Sequence, residues 1–187
     1  MKLKTALLVF AVGIWAIPSA YAGPRSVDVS DFDIAGVKTG MDYKEALAAA
    51  ANHFQIAPSK IKKMPDRLSY LKDGIQLNID FVTRIPVDKE HPLVVRMVLY
   101  SIVSTDENIA AMKEAAVDKY GAPSGEGIQI MMWCANPVTY ENFEGVFCPD
   151  QASLKMYPYG SLVLADPSWE EALSIHNDAL NTKTPNL

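Results

Sequence analysis

Residues 75–81 carry the pattern that most constrains the fold, because apolar and polar side chains alternate there at every position. Such an alternation places the apolar side chains on one face of a β-strand and the polar side chains on the other. Asp73-Gly74 comes directly before this segment, and Asp-Gly is a strong signal for a two-residue hairpin turn. The sequence therefore predicts an antiparallel sheet with one buried and one wetter face.

Further strands are predicted from other apolar runs. Residues 93–103 are mostly apolar on both faces, with Arg96 as the charged residue, which is typical of a central strand. Shorter runs at 127–134, 154–157 and 161–165 predict additional strands. Together these segments supply enough strands for a substantial sheet.

Three segments have capping residues followed by apolar residues at helical spacing. Asp42 can cap the first helix, with Glu45 three positions later, as in a capping box. Ser104 and Glu107 form the same pattern before the second helix, and Asp166 precedes the third. The predicted order is therefore helix, strands, helix, strands, helix.

The order of elements predicts an α+β fold with two layers, in which helices pack on an antiparallel sheet. Gly-Ile-Gln begins a strand at Gly74 and again at Gly127, each time after a helix that ends in Ala-Pro. This recurrence suggests a tandem repeat of a helix-plus-hairpin unit. The first unit would span 34–104, and the second, with the C-terminal helix, 105–187. A flexible arm is predicted at 23–33, and the two units are expected to form one compact domain.

The chain contains two cysteines, Cys134 and Cys148. In an oxidising compartment, an even pair of cysteines predicts a disulfide. The bridge would close a loop of about fifteen residues and stabilise the fold by about 3 kcal/mol in the chain-entropy model. A reactive thiol at Cys148 is the alternative, although no CxxC spacing supports it.

The first 22 residues have the three parts of a secretory signal peptide. Lys2 and Lys4 form the basic start, residues 7–17 form the apolar run, and residues 20–22 form the cleavage site. The apolar run is too short to span a bilayer, so no integral membrane segment is expected after cleavage behind Ala22. The sequence predicts export to the periplasm.

The charge balance argues against one class of partner. The chain has 17 lysines and arginines against 22 aspartates and glutamates, a net charge of −5 at pH 7. Nucleic-acid binding requires a basic surface that neutralises phosphates. We therefore expect no nucleic acid as a partner.

Few residues indicate catalysis. The histidines are His53, His91 and His176, and their spacing forms no HxxxH or HxH pair for zinc. No GxSxG motif or phosphate-binding glycine loop is present in the sequence. We expect no metal and no cofactor, and the leading interpretation is a non-enzymatic protein. A small periplasmic hydrolase that uses His176 with a spatially close acid is the runner-up.

Aromatic residues concentrate around the predicted disulfide loop, at Trp133, Tyr140, Phe143 and Phe147. Aromatic side chains are favoured at the centres of protein interfaces, and a loop held by a disulfide loses little entropy on binding. These four residues are the candidate partner-binding residues, and another envelope protein is the expected partner. An apolar small-ligand carrier, with a cavity between sheet and helices, is a further alternative.

Two short motifs resemble those of a known superfamily. Residues 39–42, Thr-Gly-Met-Asp, lead into the first helix, and residues 120–123, Tyr-Gly-Ala-Pro, end the second. Both are similar to motifs of small outer-membrane assembly lipoproteins and beta-lactamase-inhibitor proteins. The resemblance implies helices paired with a curved antiparallel sheet, sometimes as tandem repeats, and a function in binding other proteins. This chain lacks the lipid-attachment cysteine of the lipoprotein members, and the resemblance assigns no site residue.

Overall fold

The structure is a computed structural model that describes residues 24–126, 129–141 and 143–181. The predicted signal peptide at 1–22 lies outside the described residues. Helices occur there in three places, as α1 (Tyr43–His53), α2 (Asp106–Tyr120) and α3 (Ser168–Asn181). A short 3₁₀ turn at Pro58–Lys60 follows α1.

The described strands form two antiparallel sheets. In chain order they are β1 (Lys62–Met64), β2 (Arg67–Lys72), β3 (Ile75–Thr83), β4 (Leu93–Ser101), β5 (Gly125–Glu126), β6 (Met131–Cys134), β7 (Val138–Tyr140), β8 (Phe143–Phe147), β9 (Ser153–Tyr157) and β10 (Ser161–Ala165). Eight strands form one sheet in the order β1-β2-β3-β4-β10-β9-β6-β5, while β7 and β8 form a separate hairpin. The predicted α+β fold with helices on an antiparallel sheet is confirmed.

The two halves of the large sheet have the same strand order. In each half, the strands succeed one another in chain order from the outer edge to the centre of the sheet. The first half contributes β1, β2, β3 and β4, and the second contributes β5, β6, β9 and β10. The halves meet where β4 pairs with β10. A tandem repeat would produce this order, and the repeat itself stays a prediction.

The beginning of α1 is fixed by the capping box that the sequence predicts. The Asp42 carboxylate accepts hydrogen bonds from the backbone N–H groups of Lys44 at 2.7 Å and Glu45 at 2.8 Å. The Glu45 carboxylate in turn accepts the Asp42 N–H at 2.9 Å. These bonds satisfy amides that have no partner within the helix.

The turn between β2 and β3 agrees with the sequence, and so does the alternation in β3 except at Asp80, which is buried. Asp73 and Gly74 both have positive φ, 52° and 77°, as a tight hairpin with the twist of the strands requires. In β3 the apolar side chains of Leu77, Ile79 and Phe81 are buried. This strand therefore contributes one face to the core.

The N-cap of α2 differs by one residue from the predicted Ser104. Thr105 is the N-cap, and its Oγ1 accepts the backbone N–H of Asn108 at 3.2 Å. Both residues have a hydroxyl suited to capping, so the residue type alone does not decide which of them is the N-cap. Gly121 follows the last residue of the helix as its C-cap, and its φ of 78° favours glycine.

The main core lies between one face of the sheet and the two helices α1 and α2. Ala46 and Ala50 of α1 and Met112 and Ala116 of α2 belong to the same buried cluster as the apolar sheet residues. Small alanine side chains allow the helices to lie close to the strands. The third helix lies against β3 and β4 and, over its described length, has no fully buried residue.

The segment predicted as a flexible arm at 23–33 is anchored in its described part. The Arg25 N–H donates to the Ser124 carbonyl at 3.0 Å, and the Val27 N–H donates to the Cys134 carbonyl at 2.8 Å. These bonds fasten the segment beside β5 and β6. The lack of sequence periodicity predicted looser attachment. It did not reveal the anchoring because the bonding partners are about a hundred residues away, and a local pattern cannot show so distant a contact.

Candidate functional site

The candidate site is the β7–β8 hairpin together with the disulfide at its base. Cys134 and Cys148 form the predicted disulfide, with the two Sγ atoms 2.05 Å apart. Cys134 ends β6 and Cys148 directly follows β8, so the covalent bond joins the two ends of the segment that contains the hairpin. The bridge thus fixes the point at which the hairpin leaves the sheet.

Two further contacts hold the hairpin in place. The Gln151 side chain donates to the Asn136 carbonyl at 2.7 Å and accepts the Asn136 N–H at 2.9 Å. Val146 of β8 is buried and lies against Gly125 of β5, where an added Cβ would come within 2.2 Å of the Val146 Cγ2. Gly125 therefore permits the close approach of the hairpin to the edge of the sheet.

Tyr140 is an exposed aromatic residue of this hairpin. Its exposed fraction is 53%. The ring packs edge-on against half-buried Phe147, with ring centroids 5.3 Å apart. The side chain of Phe143 lies outside the described part of the structure. Of the four predicted contact residues, Tyr140 and Phe147 are thus brought together as a pair.

Trp133 does not lie on this surface, and its predicted contact role is wrong. Its side chain is fully buried, and its Nε1–H donates to the Gly121 carbonyl at 2.9 Å. All four residues of β6 are buried, because the helices cover one face and the disulfide segment covers the other. A residue enclosed in this way anchors the fold and cannot contact a partner.

His91 and Asp42 form a pair that the sequence did not single out. The His91 Nδ1 lies 2.6 Å from the Asp42 Oδ2, beside a cleft of about 340 Å³. Burial raises the pKa of the Asp42 carboxyl, but the amides of Glu45 and Lys44 and the adjacent His91 outweigh it and lower the pKa below its ordinary value. A histidine held by a carboxylate can act as a general base. The described lining of this cleft contains no serine, threonine or cysteine to serve as its nucleophile.

His176 gives the hydrolase alternative no support. It is half-buried on α3. Within the described ranges it makes no hydrogen bond or ion pair with an acid. The hydrolase alternative stays a prediction.

Among the described residues, no group of three or more histidine, cysteine, aspartate or glutamate side chains is placed to hold a metal ion. None of the helices in the described ranges combines the length and the apolar character needed to cross a bilayer. No family model, curated protein or solved structure matches the chain significantly. The resemblance to the envelope-protein superfamily stays a prediction.

Proposed function

We propose that the chain is an exported, non-enzymatic protein of the periplasm that binds another envelope protein through its β7–β8 hairpin. The observation that carries this proposal is the exposed Tyr140 on a hairpin whose base is closed by the Cys134–Cys148 disulfide. A large aromatic side chain held in place before binding is typical of an interface hot spot.

The anchoring of the hairpin favours binding because it reduces the entropy lost when a complex forms. A partner must order the backbone of a free loop of this length, at a cost of about 1–2 kcal/mol for each residue that is fixed. Here the disulfide, the Gln151–Asn136 pair and the Val146 contact have already fixed the backbone. More of the contact energy of Tyr140 is then available as affinity.

The charges at the tip and at the base of the hairpin favour a partner of a particular kind. Glu141 follows Tyr140 at the tip, and Asp150 follows the disulfide, and both are exposed. The chain as a whole carries a net charge of −5. We therefore expect a folded partner with an apolar hollow for the tyrosine ring, bordered by lysine or arginine side chains.

The first experiment uses a photo-crosslinking amino acid at position 140 or at position 159 in the cell that produces the protein. Tyr159 is a matched control because its exposed fraction is 56%, close to that of Tyr140. It lies in the turn that follows the last residue of β9, whereas the hairpin lies near the first residue, at the opposite end of that strand. We expect one defined envelope protein to be captured from position 140 and not from position 159. Equal capture from both positions would contradict a role for the hairpin.

The second experiment measures affinity for the captured partner after purification. Tyr140→Ala is expected to weaken binding by about tenfold or more, as for a hot-spot residue. Tyr159→Ala should leave the affinity unchanged, and both variants should keep the melting temperature of the parent protein. If Tyr140→Ala binds as tightly as the parent, the hairpin is not the contact surface.

The proposed export has its own test. The disulfide supports an oxidising compartment, because structural disulfides are rare in the cytosol. Protein isolated from cells should have the mass of a chain that begins at Gly23, with no free thiol. An intact amino terminus at Met1, or two reduced cysteines, would contradict export to the periplasm.

A further inference from the structure

A second candidate site lies on the helix-covered side of the sheet, away from the hairpin. It is a cleft of about 560 Å³ between α2, the end of α1 and the β2–β3 turn. Tyr100 of β4 and Leu162 of β10 contribute to its lining at the centre of the sheet. Small-molecule sites in proteins are mostly apolar and have volumes of roughly 300–1,000 Å³.

The cleft exists because the residues along one wall are small. Ala111 and Ala115 of α2 line it and are exposed. A longer side chain at either position would extend into the space. Each alanine has only one carbon beyond the backbone, so the wall offers an apolar surface without filling the cleft.

Ala35 provides a second sign that the lining is kept small and apolar. Ala35 and Gly36 form a tight turn with φ of 54° and 77°, closed by hydrogen bonds between Ile34 and Val37. Asparagine, aspartate or glycine is preferred at the first position of such a turn. The alanine found there is 6% exposed and lines the cleft. An asparagine would place an amide in the apolar lining, so the local preference is overridden.

The lysine side chain in the lining of the cleft is paired with an aspartate, and the aspartate side chain in the lining is largely exposed to water. Lys119 donates to the Asp33 carboxylate at 2.8 Å, and Asp73 lies 3.7 Å from the Lys72 ammonium group. A charged ligand would have to compete with these pairs. The charge arrangement therefore favours an uncharged ligand.

Tyr100 contributes a polar group to the lining of this cleft. Its hydroxyl makes no hydrogen bond with any residue in the described ranges. Burial raises its pKa, so the hydroxyl remains protonated and able to donate at neutral pH. A hydrogen-bond acceptor on a ligand would satisfy it.

We propose that this cleft binds one uncharged, mainly apolar small molecule whose hydrogen-bond acceptor meets the Tyr100 hydroxyl. The observations that support it are the small apolar walls, the paired lysine and the Tyr100 hydroxyl in one space. This binding site is independent of the hairpin, so either proposal can fail without the other.

The site is tested by titrating the processed, disulfide-bonded protein with N-phenyl-1-naphthylamine, an uncharged fluorescent probe. Ala115→Phe should weaken binding at least tenfold, because the ring occupies the cleft. Ala110→Phe is the matched control, since Ala110 is an exposed alanine of α2 that does not line the cleft. Circular dichroism should show equal melting temperatures, and Ala111→Phe provides a second blocking variant.

A charged probe and a pair of matched ligands test the chemistry. Anilinonaphthalene sulfonate, which is anionic, should bind at least tenfold more weakly than the uncharged probe. The parent protein should bind 2-acetylnaphthalene about fivefold more tightly than 2-ethylnaphthalene, the gain expected from one hydrogen bond. Tyr100→Phe should remove this preference and leave binding of the hydrocarbon unchanged.

Three results would overturn the proposal. These are no saturable binding of the uncharged probe, equal effects of Ala115→Phe and Ala110→Phe, and tighter binding of the anionic probe. The last result would indicate an anionic amphiphile as the occupant. A preference for the ketone that survives in Tyr100→Phe would show that the hydroxyl does not contact the ligand.

Discussion

The two halves of the sheet are built from different kinds of interaction. The N-terminal half, residues 34–104, has two nine-residue strands, a complete capping box and a two-residue hairpin, all set by residues close in sequence. The C-terminal half, residues 105–181, has strands of two to five residues and depends on a disulfide and on bonds from the N-terminal segment. Local signals can therefore define one half, while long-range contacts complete the other.

The largest expected effect tests whether the halves nevertheless unfold together. Leu68 and Leu154 are both fully buried, one in each half, and both belong to the main core cluster. Each Leu→Ala substitution should cost about 2–5 kcal/mol of unfolding free energy. Trp133 fluorescence, measured in a Trp169→Phe background, reports on the C-terminal half. Because β4 pairs with β10, we expect Leu68→Ala to shift the urea midpoint seen by Trp133.

If the urea midpoint measured by Trp133 fluorescence is unchanged in Leu68→Ala but lowered in Leu154→Ala, the two halves unfold separately. Far-ultraviolet circular dichroism on the same samples provides the control, since it follows both halves at once. Coincidence of the two signals is the expected result for a single cooperative domain.

The second prediction removes the covalent contact of the C-terminal half. The double variant Cys134→Ala/Cys148→Ala should lose about 3 kcal/mol, the value that the chain-entropy model gives for a loop of about fifteen residues. Hydrogen exchange should show the greatest loss of protection in β7 and β8, and a smaller loss in β2 and β3. Reduction of the parent protein should give the same ranking. Equal loss across the whole sheet would mean that the disulfide does not act mainly on the hairpin.

The third prediction compares the N-caps of the two halves. Asp42 accepts two backbone amides and contacts His91, whereas Thr105 accepts one amide. We expect Asp42→Ala to cost about 1–2 kcal/mol and Thr105→Ala about 0.5–1 kcal/mol, measured by urea unfolding. A larger cost for Thr105→Ala would reverse the conclusion that α1 has the stronger local signal.

The smallest effect is the acid dependence of the α1 cap. The pKa of the Asp42 carboxyl is lowered in the folded protein, so its contribution is complete above the unfolded pKa of about 3.9 and is lost as pH falls through the folded value. Asp42→Asn keeps a capping side chain but removes the charge. The stability difference between parent and variant should be constant near pH 5 and should shrink below about pH 4. A difference that grows on acidification would refute the sign of the shift.

The sequence predicted those parts of the fold whose partners are nearby in the chain. The Asp73-Gly74 turn and the buried apolar residues of β3 follow from the period of two, and the Asp42 cap follows from Glu45 three positions later. The disulfide was also predicted, because two cysteines allow a single intramolecular pairing.

The features that the sequence did not reveal depend on distant segments. Trp133 was expected at the surface, yet β6 is covered on its second face by the disulfide segment, which no alternation pattern can show. The His91–Asp42 contact joins a loop to a helix start about fifty residues away. The apolar cleft depends on the placement of α2 over Tyr100, which was not visible in the spacing of the alanines.

The short outer strands of the large sheet affect how copies of this protein meet at high concentration. An open strand edge can template pairing with another molecule and so begin a fibril. Here β1 has three residues, including Lys62 and Lys63, and β5 has two. An incoming strand would find few backbone groups to bond and, at β1, two positive charges to desolvate. The architecture thus opposes amyloid-like growth by its own geometry.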